Sequence, residues 1–140
     1  MKKLPIVFVC IENSCRSQLA EAFGHLNKGD AFEIYSAGSK PSGKVNPKAV
    51  ATMLERGYDL GTHHSKSLDE LPDLEFAAAI TMGCGDECGS LTATCREDWG
   101  IPDPKHMDAQ AFGEIRDGIE QRVKDLMLRL QSSCASAQKP

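Results

Sequence analysis

A cysteine directly after an apolar run, with an arginine six positions later, is an arrangement suited to chemistry on an oxyanion. The stretch is IVFVCIENSCRSQLAEA, beginning at Ile6, and the two residues are Cys10 and Arg16. Glu12, Asn13, Ser14 and Cys15 lie between them and Ser17 follows. A helix starting at about Ser17 would point its free backbone N–H groups back toward Cys10. Helped by the helix dipole, those groups can hold a tetrahedral oxyanion. Arg16 adds a planar fork of donors for two anion oxygens. The same positive surroundings favour the thiolate of Cys10, which is the nucleophilic form. Ser17 can donate a hydrogen bond to that thiolate or cap the helix. Asn13 can lock the loop from within by bonding its backbone. The plain alternative is a buried strand-end cysteine beside a surface cation, and Cys15 itself reads as a core residue.

The surrounding elements must put this loop at the end of a strand and the start of a helix. LPIVFVC is almost continuously apolar, as expected of a strand in a parallel sheet covered on both faces. SQLAEAFGHLN places Leu19, Ala22, Phe23 and Leu26 on one helical side, with Glu21 on the polar side. AFEIYSAG reads as a second strand and PKAVATMLERGY as a second helix, with Pro47 in its first turn and Gly57 at its end. DLGTHHSKSLDEL is a polar connection ending in a short helix, and LEFAAAITM is a third strand. A fourth strand fits near TATCRED. FGEIRDGIEQRVKDLMLRLQSSC reads as the last helix, in which Ile115, Ile119, Val123, Leu126 and Leu130 recur at helical spacing. This order predicts one three-layer α-β-α domain over residues 1–134, with a small, about four-stranded parallel sheet, and a flexible tail over 135–140.

The chain has 140 residues and a net charge of −4, which suits one core and argues against broad nucleic-acid binding. No apolar run approaches membrane-spanning length. The opening MKKLPIVFVC reads as a first strand and not as a secretory signal, so a cytoplasmic location is expected. Six cysteines are then many for a reducing compartment: Cys10, Cys15, Cys84, Cys88, Cys95 and Cys134. They point to metal, catalysis or redox cycling.

CIENSCRSQLAEA resembles the active-site loop shared by low-molecular-weight protein tyrosine phosphatases and the arsenate reductases built on that fold. The likeness runs from IVFVC through the last helix and includes YSAG and a later DP. It implies that Cys10 is the nucleophile, that Arg16 binds the oxyanion, and that Asn13 and Ser17 shape and activate the loop. Glu12 departs from the pattern, because a carboxylate beside an anion is costly unless it points outward; an outward orientation is expected. The resemblance also implies that Asp103 of the DP, held between two prolines, is the general acid. Asp98 and Asp108 are weaker substitutes.

ITMGCGDECGS places Cys84 and Cys88 in a glycine-rich loop that, in this fold, shares a sheet edge with Cys10. A phosphatase has no use for this pair, whereas a dithiol becoming a disulfide supplies the two electrons a reductase needs. Resemblance to thioredoxin-coupled arsenate reductases implies a relay from Cys10 through Cys84 to Cys88, with thioredoxin as external reductant and no tightly bound cofactor. CGDEC is tighter than the usual spacing, and Cys95 is the other candidate for the final thiol. A structural zinc site of Cys84, Cys88 and Cys95 with His106 is the competing interpretation.

After DP come Lys105 and His106 in place of the aromatic residues of tyrosine phosphatases, and Trp99 reads as a packing anchor. A small inorganic anion is therefore favoured: arsenate, with phosphate and sulfate as competitors, acting on a monomer. Some relatives bind potassium behind the loop through residues matching Asn13, Glu21 and Ser36, with the expected fourth carboxylate replaced near Ser67. No metal is expected here. His63 and His64 are expected to form a polar loop or to support the anion site. The competing functions are phosphatase activity and a binding or thiol-switch role without turnover.

Overall fold

The computed structural model describes residues 3–83 and 91–137, the last five as backbone only. Four parallel strands form one sheet in the order β2-β1-β3-β4: β1 (Leu4–Cys10), β2 (Phe32–Gly38), β3 (Glu75–Thr81) and β4 (Thr92–Asp98). Three helices accompany them: α1 (Arg16–Asn27), α2 (Pro47–Leu54) and α3 (Ala109–Ala137). Two single 3-10 turns, Leu60–Thr62 and Leu68–Glu70, lie in the connection from α2 to β3.

The apolar run of β1 is explained by its central place. Ile6, Val7, Phe8 and Val9 are fully buried and alternate between two cores. Ile6 and Phe8 join the larger core, which takes buried residues from all three helices: Leu19 and Phe23 of α1, Met53 of α2, and Phe112, Ile119, Val123 and Leu126 of α3. Val7 and Val9 face a smaller core with Phe76 and Ala79. Tyr35, Leu68, Leu71 and Leu91 pack against that second core, Leu68 and Leu71 coming from the second 3-10 turn and its end.

Three local expectations change. Helical spacing predicts Leu26 on the apolar side of α1, but it is 50% exposed, because the helix passes beyond the sheet in its last turn. The rest of α1 is buried nearly all round, including the polar Ser17, Gln18 and Glu21. Gly24 allows this depth, since a Cβ there would stand 2.8 Å from Ile34 Cγ2. α3 starts at Ala109 and runs to Ala137, past the domain end expected at Cys134. Trp99 does anchor packing: its ring lies 5.8 Å from Phe8, and its Nε1 donates to Glu97.

Candidate active site

The parallel register puts the end of β1 at one edge of the sheet, where Cys10 pairs with Gly38 and Val9 with Thr81. Connections leaving this edge converge. The N–H of Ile101 donates to Met82 O and that of Trp99 to Thr81 O, so the segment after β4 is pinned to the end of β3. It carries Asp103 across from Cys10. One pocket results, lined by Cys10, Glu12, Cys15, Arg16, Asp103 and Lys105 among others, with no aromatic residue in its wall among the described residues.

The loop from Ile11 to Cys15 is held from outside by the segment after β2. Ile11 O accepts from Lys40 N, Glu12 O from Ser42 N, and Ser14 O from Asn46 N, at 2.8–3.1 Å. In a trans peptide the C=O and N–H are antiparallel. The N–H groups of Glu12 and Cys15 therefore face away from that segment and are available to an anion. This packing requires Gly38. A Cβ there would stand 2.5 Å from Ile11 O and 2.8 Å from Asn13 N, both of them backbone atoms that cannot swing aside.

A hydrogen-bond network behind the loop leads to the hydroxyl beside Cys10. Asn13, in a left-handed conformation at φ 48°, accepts at Oδ1 from Gln18 Nε2 (2.9 Å) and Lys66 N (2.9 Å). Its Nδ2 therefore spends its two hydrogens on Ser17 Oγ (2.8 Å) and Ser36 Oγ (3.0 Å). Ser17 Oγ accepts from Asn13 and lies 2.8 Å from Cys10 Sγ; toward a Cys10 thiolate, which has no hydrogen to give, its O–H is the donor. Two expectations change here. Ser17 does not cap α1, whose N-cap is Cys15 without a side-chain bond. Asn13 locks the loop chiefly through the Ser17 and Ser36 hydroxyls and through the backbone of Lys66, outside the loop.

Gln18 and His63 extend the network; a supporting role is among the expectations for His63, while Gln18 carries no sequence signal. Gln18 Nε2 also donates to Asn13 O and His64 O, and its Oε1 accepts from His63 Nδ1 at 2.9 Å. His63 Nε2 then accepts from Tyr58 O–H at 2.6 Å. Burial holds His63 below its ordinary pKa despite the nearby Glu21 carboxylate, and burial with Glu21 and Asp59 pushes Tyr58 up to about 12. Both shifts agree with a neutral imidazole accepting from a protonated phenol. His64 is 71% exposed where His63 is 7%, so the adjacent pair divides between solvent and support.

The remaining groups are placed as follows. Arg16 Nη1 donates to Ile101 O at 2.8 Å, and Nη2 lies 4.0 Å from Asp103 Oδ2. Asp103 is 45% exposed and is positioned by Lys105 N, which donates to its Oδ1. Glu12 lies at the rim, 49% exposed, with its carboxylate 3.7 Å from Lys105 Nζ. Cys15 is buried; burial and the negative groups of Asp103 and Cys10 push its thiol far above the ordinary range, outweighing Arg16 and Lys48. Glu21 is buried and not an exposed helix residue. Burial alone would raise its pKa, but the His25 hydrogen bond, the Lys66 charge and the Ser36 hydroxyl hold it at about 2.

Cys84 and Cys88 lie outside the described residues, as does their share of a zinc site. Cys95 pairs with Ala78, which pairs in turn with Ile6. That sets it about 13 Å along the strands and about 10 Å across them from Cys10. Burial and Glu97 raise its thiol pKa against the opposing charge of Arg129.

The sequence matches the model of the low molecular weight phosphotyrosine protein phosphatase family over residues 5–136. The chain belongs to that family. Within it, the chain is 36% identical over 138 residues to arsenate reductase 1 of Staphylococcus epidermidis, covering 93% of this chain and 100% of that one. Among solved structures, it is similar to an arsenate reductase in the phosphate binding state, with TM-score 0.83 and 30% identity over 91% of this chain and 98% of that chain. It is also similar to a thioredoxin-dependent arsenate reductase of Corynebacterium glutamicum, with TM-score 0.74 and 30% identity over 94% of this chain and 63% of that chain. The expected α/β architecture with a four-stranded parallel sheet is the family's.

Proposed function

We propose that this family member reduces arsenate to arsenite, with Cys10 as nucleophile. The observation that carries this reading is a cysteine sulfur 2.8 Å from the Ser17 hydroxyl, in a pocket shared with Arg16 and Asp103 and without an aromatic residue in its wall among the described residues. The named activity of its relatives supports the choice of anion.

The Cys10 thiolate attacks arsenic in bound arsenate, held by Arg16 and the loop N–H groups. An As–O bond breaks, Asp103 gives the departing oxygen its proton, and a Cys10 S–As(V) bond remains. Cys84 then attacks Cys10 Sγ. The S–As electron pair stays on arsenic, which leaves as arsenite, and a Cys10–Cys84 disulfide forms. Cys88 attacks Cys84 and frees Cys10. The resulting Cys84–Cys88 disulfide is reduced by the dithiol of thioredoxin, which restores both electrons. Cys88 is preferred to Cys95 as the last thiol because Cys95 is level with Ile6, away from the Cys10 edge, and its raised pKa makes it a poor nucleophile at neutral pH.

The set of Cys10, Arg16 and Asp103 also suits a phosphatase working through a cysteinyl-phosphate intermediate, and a phosphate-bound relative supports phosphate as a competing ligand. The two readings separate in one assay pair. Arsenate-dependent NADPH oxidation with thioredoxin and its reductase is expected to be rapid, and hydrolysis of an aryl phosphate slow. Rapid hydrolysis without arsenate reduction would make the chain a phosphatase.

A further inference from the structure

Behind the anion loop, on the side away from Cys10, the side chain of Lys66 enters a polar cage. Its Nζ donates to Glu21 Oε1 at 3.2 Å, to Ser36 Oγ at 3.1 Å and to His64 O at 3.3 Å. All three ammonium hydrogens are thereby used. Lys66 is only 17% exposed, and Glu21, its ion-pair partner, 10%. Its backbone is held as well: Lys66 N donates to Asn13 Oδ1, and Lys66 O accepts from Gly38 N.

Asn13, Glu21 and Ser36 match the residues through which some relatives hold potassium. In this chain the cation position of that cage is taken. Ser36 Oγ accepts from Asn13 and Lys66 while its O–H donates to Glu21, so its valence is complete. Glu21 receives Ser36 and Lys66 on one oxygen and His25 on the other, with His63 Nδ1 at 3.6 Å. A potassium ion does not fit beside this ammonium. We propose that Lys66 is a tethered cation that positions the loop in place of a monovalent metal ion, making the protein indifferent to potassium. Its influence reaches Cys10 through Ser36, Asn13 and Ser17, each joined to the next by a hydrogen bond. Lys66 touches no substrate and is a positioning residue.

The test compares the full-length protein with Lys66→Met, which keeps the apolar stem but, one atom shorter, removes the charge and opens the place of the ammonium in the cage. Each is measured in potassium, sodium and choline chloride at one ionic strength. The readouts are Tm and the pH dependence of Cys10 alkylation by iodoacetamide, resolved from the other cysteines by peptide mass spectrometry. The wild-type protein is expected to behave identically in all three salts. Lys66→Met in choline is expected to melt earlier and to alkylate about tenfold more slowly below its midpoint, which corresponds to a midpoint one pH unit higher. Potassium should restore part of both losses.

A potassium-specific change in the wild-type protein would overturn the proposal. So would a variant that matches the wild type in choline, or a loss that potassium leaves untouched, since Lys66 would then act by packing and not by charge. If Lys66→Met fails to fold, the wild-type comparison decides alone. The alkylation arm rests on Cys10 as the reactive thiol; the melting arm does not, so failure of that reading is separable from failure of this one.

Discussion

Ser17 reads in the sequence either as a helix cap or as a donor to the Cys10 thiolate, and in the structure it is the hydroxyl beside Cys10 Sγ and not a cap. A hydrogen bond to a charged group contributes about 1.5–3 kcal/mol. Ser17→Ala is therefore expected to lower kcat/KM for arsenate by roughly 10- to 150-fold and to move Cys10 alkylation to higher pH. Ser17→Thr should recover part of both. Unchanged alkylation in the alanine variant would remove the hydroxyl from the thiolate's support. Glu21 makes a different prediction. Its pKa is depressed from 4.5 to about 2 in the folded chain. The stability it contributes is fully present above its unfolded pKa of 4.5 and is lost as pH falls through about 2. This linkage is on the order of 3 kcal/mol. The gap in urea-unfolding stability between the wild type and Glu21→Gln should therefore be largest and constant above pH 4.5 and shrink as pH falls from 4.5 toward 2. A constant gap across that range would contradict the assignment.

The elements position these residues through close backbone contacts, and two glycines show the difference between need and tolerance. At the end of β2, Gly38 admits the Ile11 carbonyl where a Cβ would collide at 2.5 Å. Gly38→Ala must displace the loop, and a loss of Cys10 reactivity together with several kcal/mol of stability is expected. Gly118 sits on the exposed side of α3, with nothing within 4 Å of an added Cβ. Gly118→Ala should stabilise by up to about 1 kcal/mol, because alanine is the better helix former and narrows the unfolded ensemble. Denaturant melts of both variants check the opposed signs. At this scale much is legible in the residue pattern. The apolar run of β1 and the spacing of Ile119, Val123 and Leu126 each carry a period that burial enforces. The exposure of Leu26 and the start of α3 at Ala109 are not legible, because periodicity does not mark where a sheet stops covering a helix or where a helix begins.

Over the whole molecule, the anion loop is legible as strand, cysteine, arginine and helix, since those signals are local. Its support is not. Lys66 reaches Asn13, and His63 and His64 reach Gln18, only because the connection from α2 to β3 folds back over the N-terminus of α1, and no local pattern announces a contact across some fifty residues. The same parallel sheet brings the ends of β1, β3 and β4 to one edge, which is why the thiol and guanidinium of one loop share a pocket with a carboxylate from a distant segment. Replacing the proposed nucleophile, as in Cys10→Ser, should abolish arsenate reduction and any residual phosphate ester hydrolysis while leaving the fold intact. The relay is tested most directly by trapping its first disulfide. Cys88→Ser protein, exposed to arsenate without thioredoxin and digested under acid, should yield a Cys10–Cys84 disulfide by mass spectrometry, with one arsenite released per chain. Arsenite release with Cys10 joined to another cysteine, or no disulfide at Cys10 at all, would contradict it.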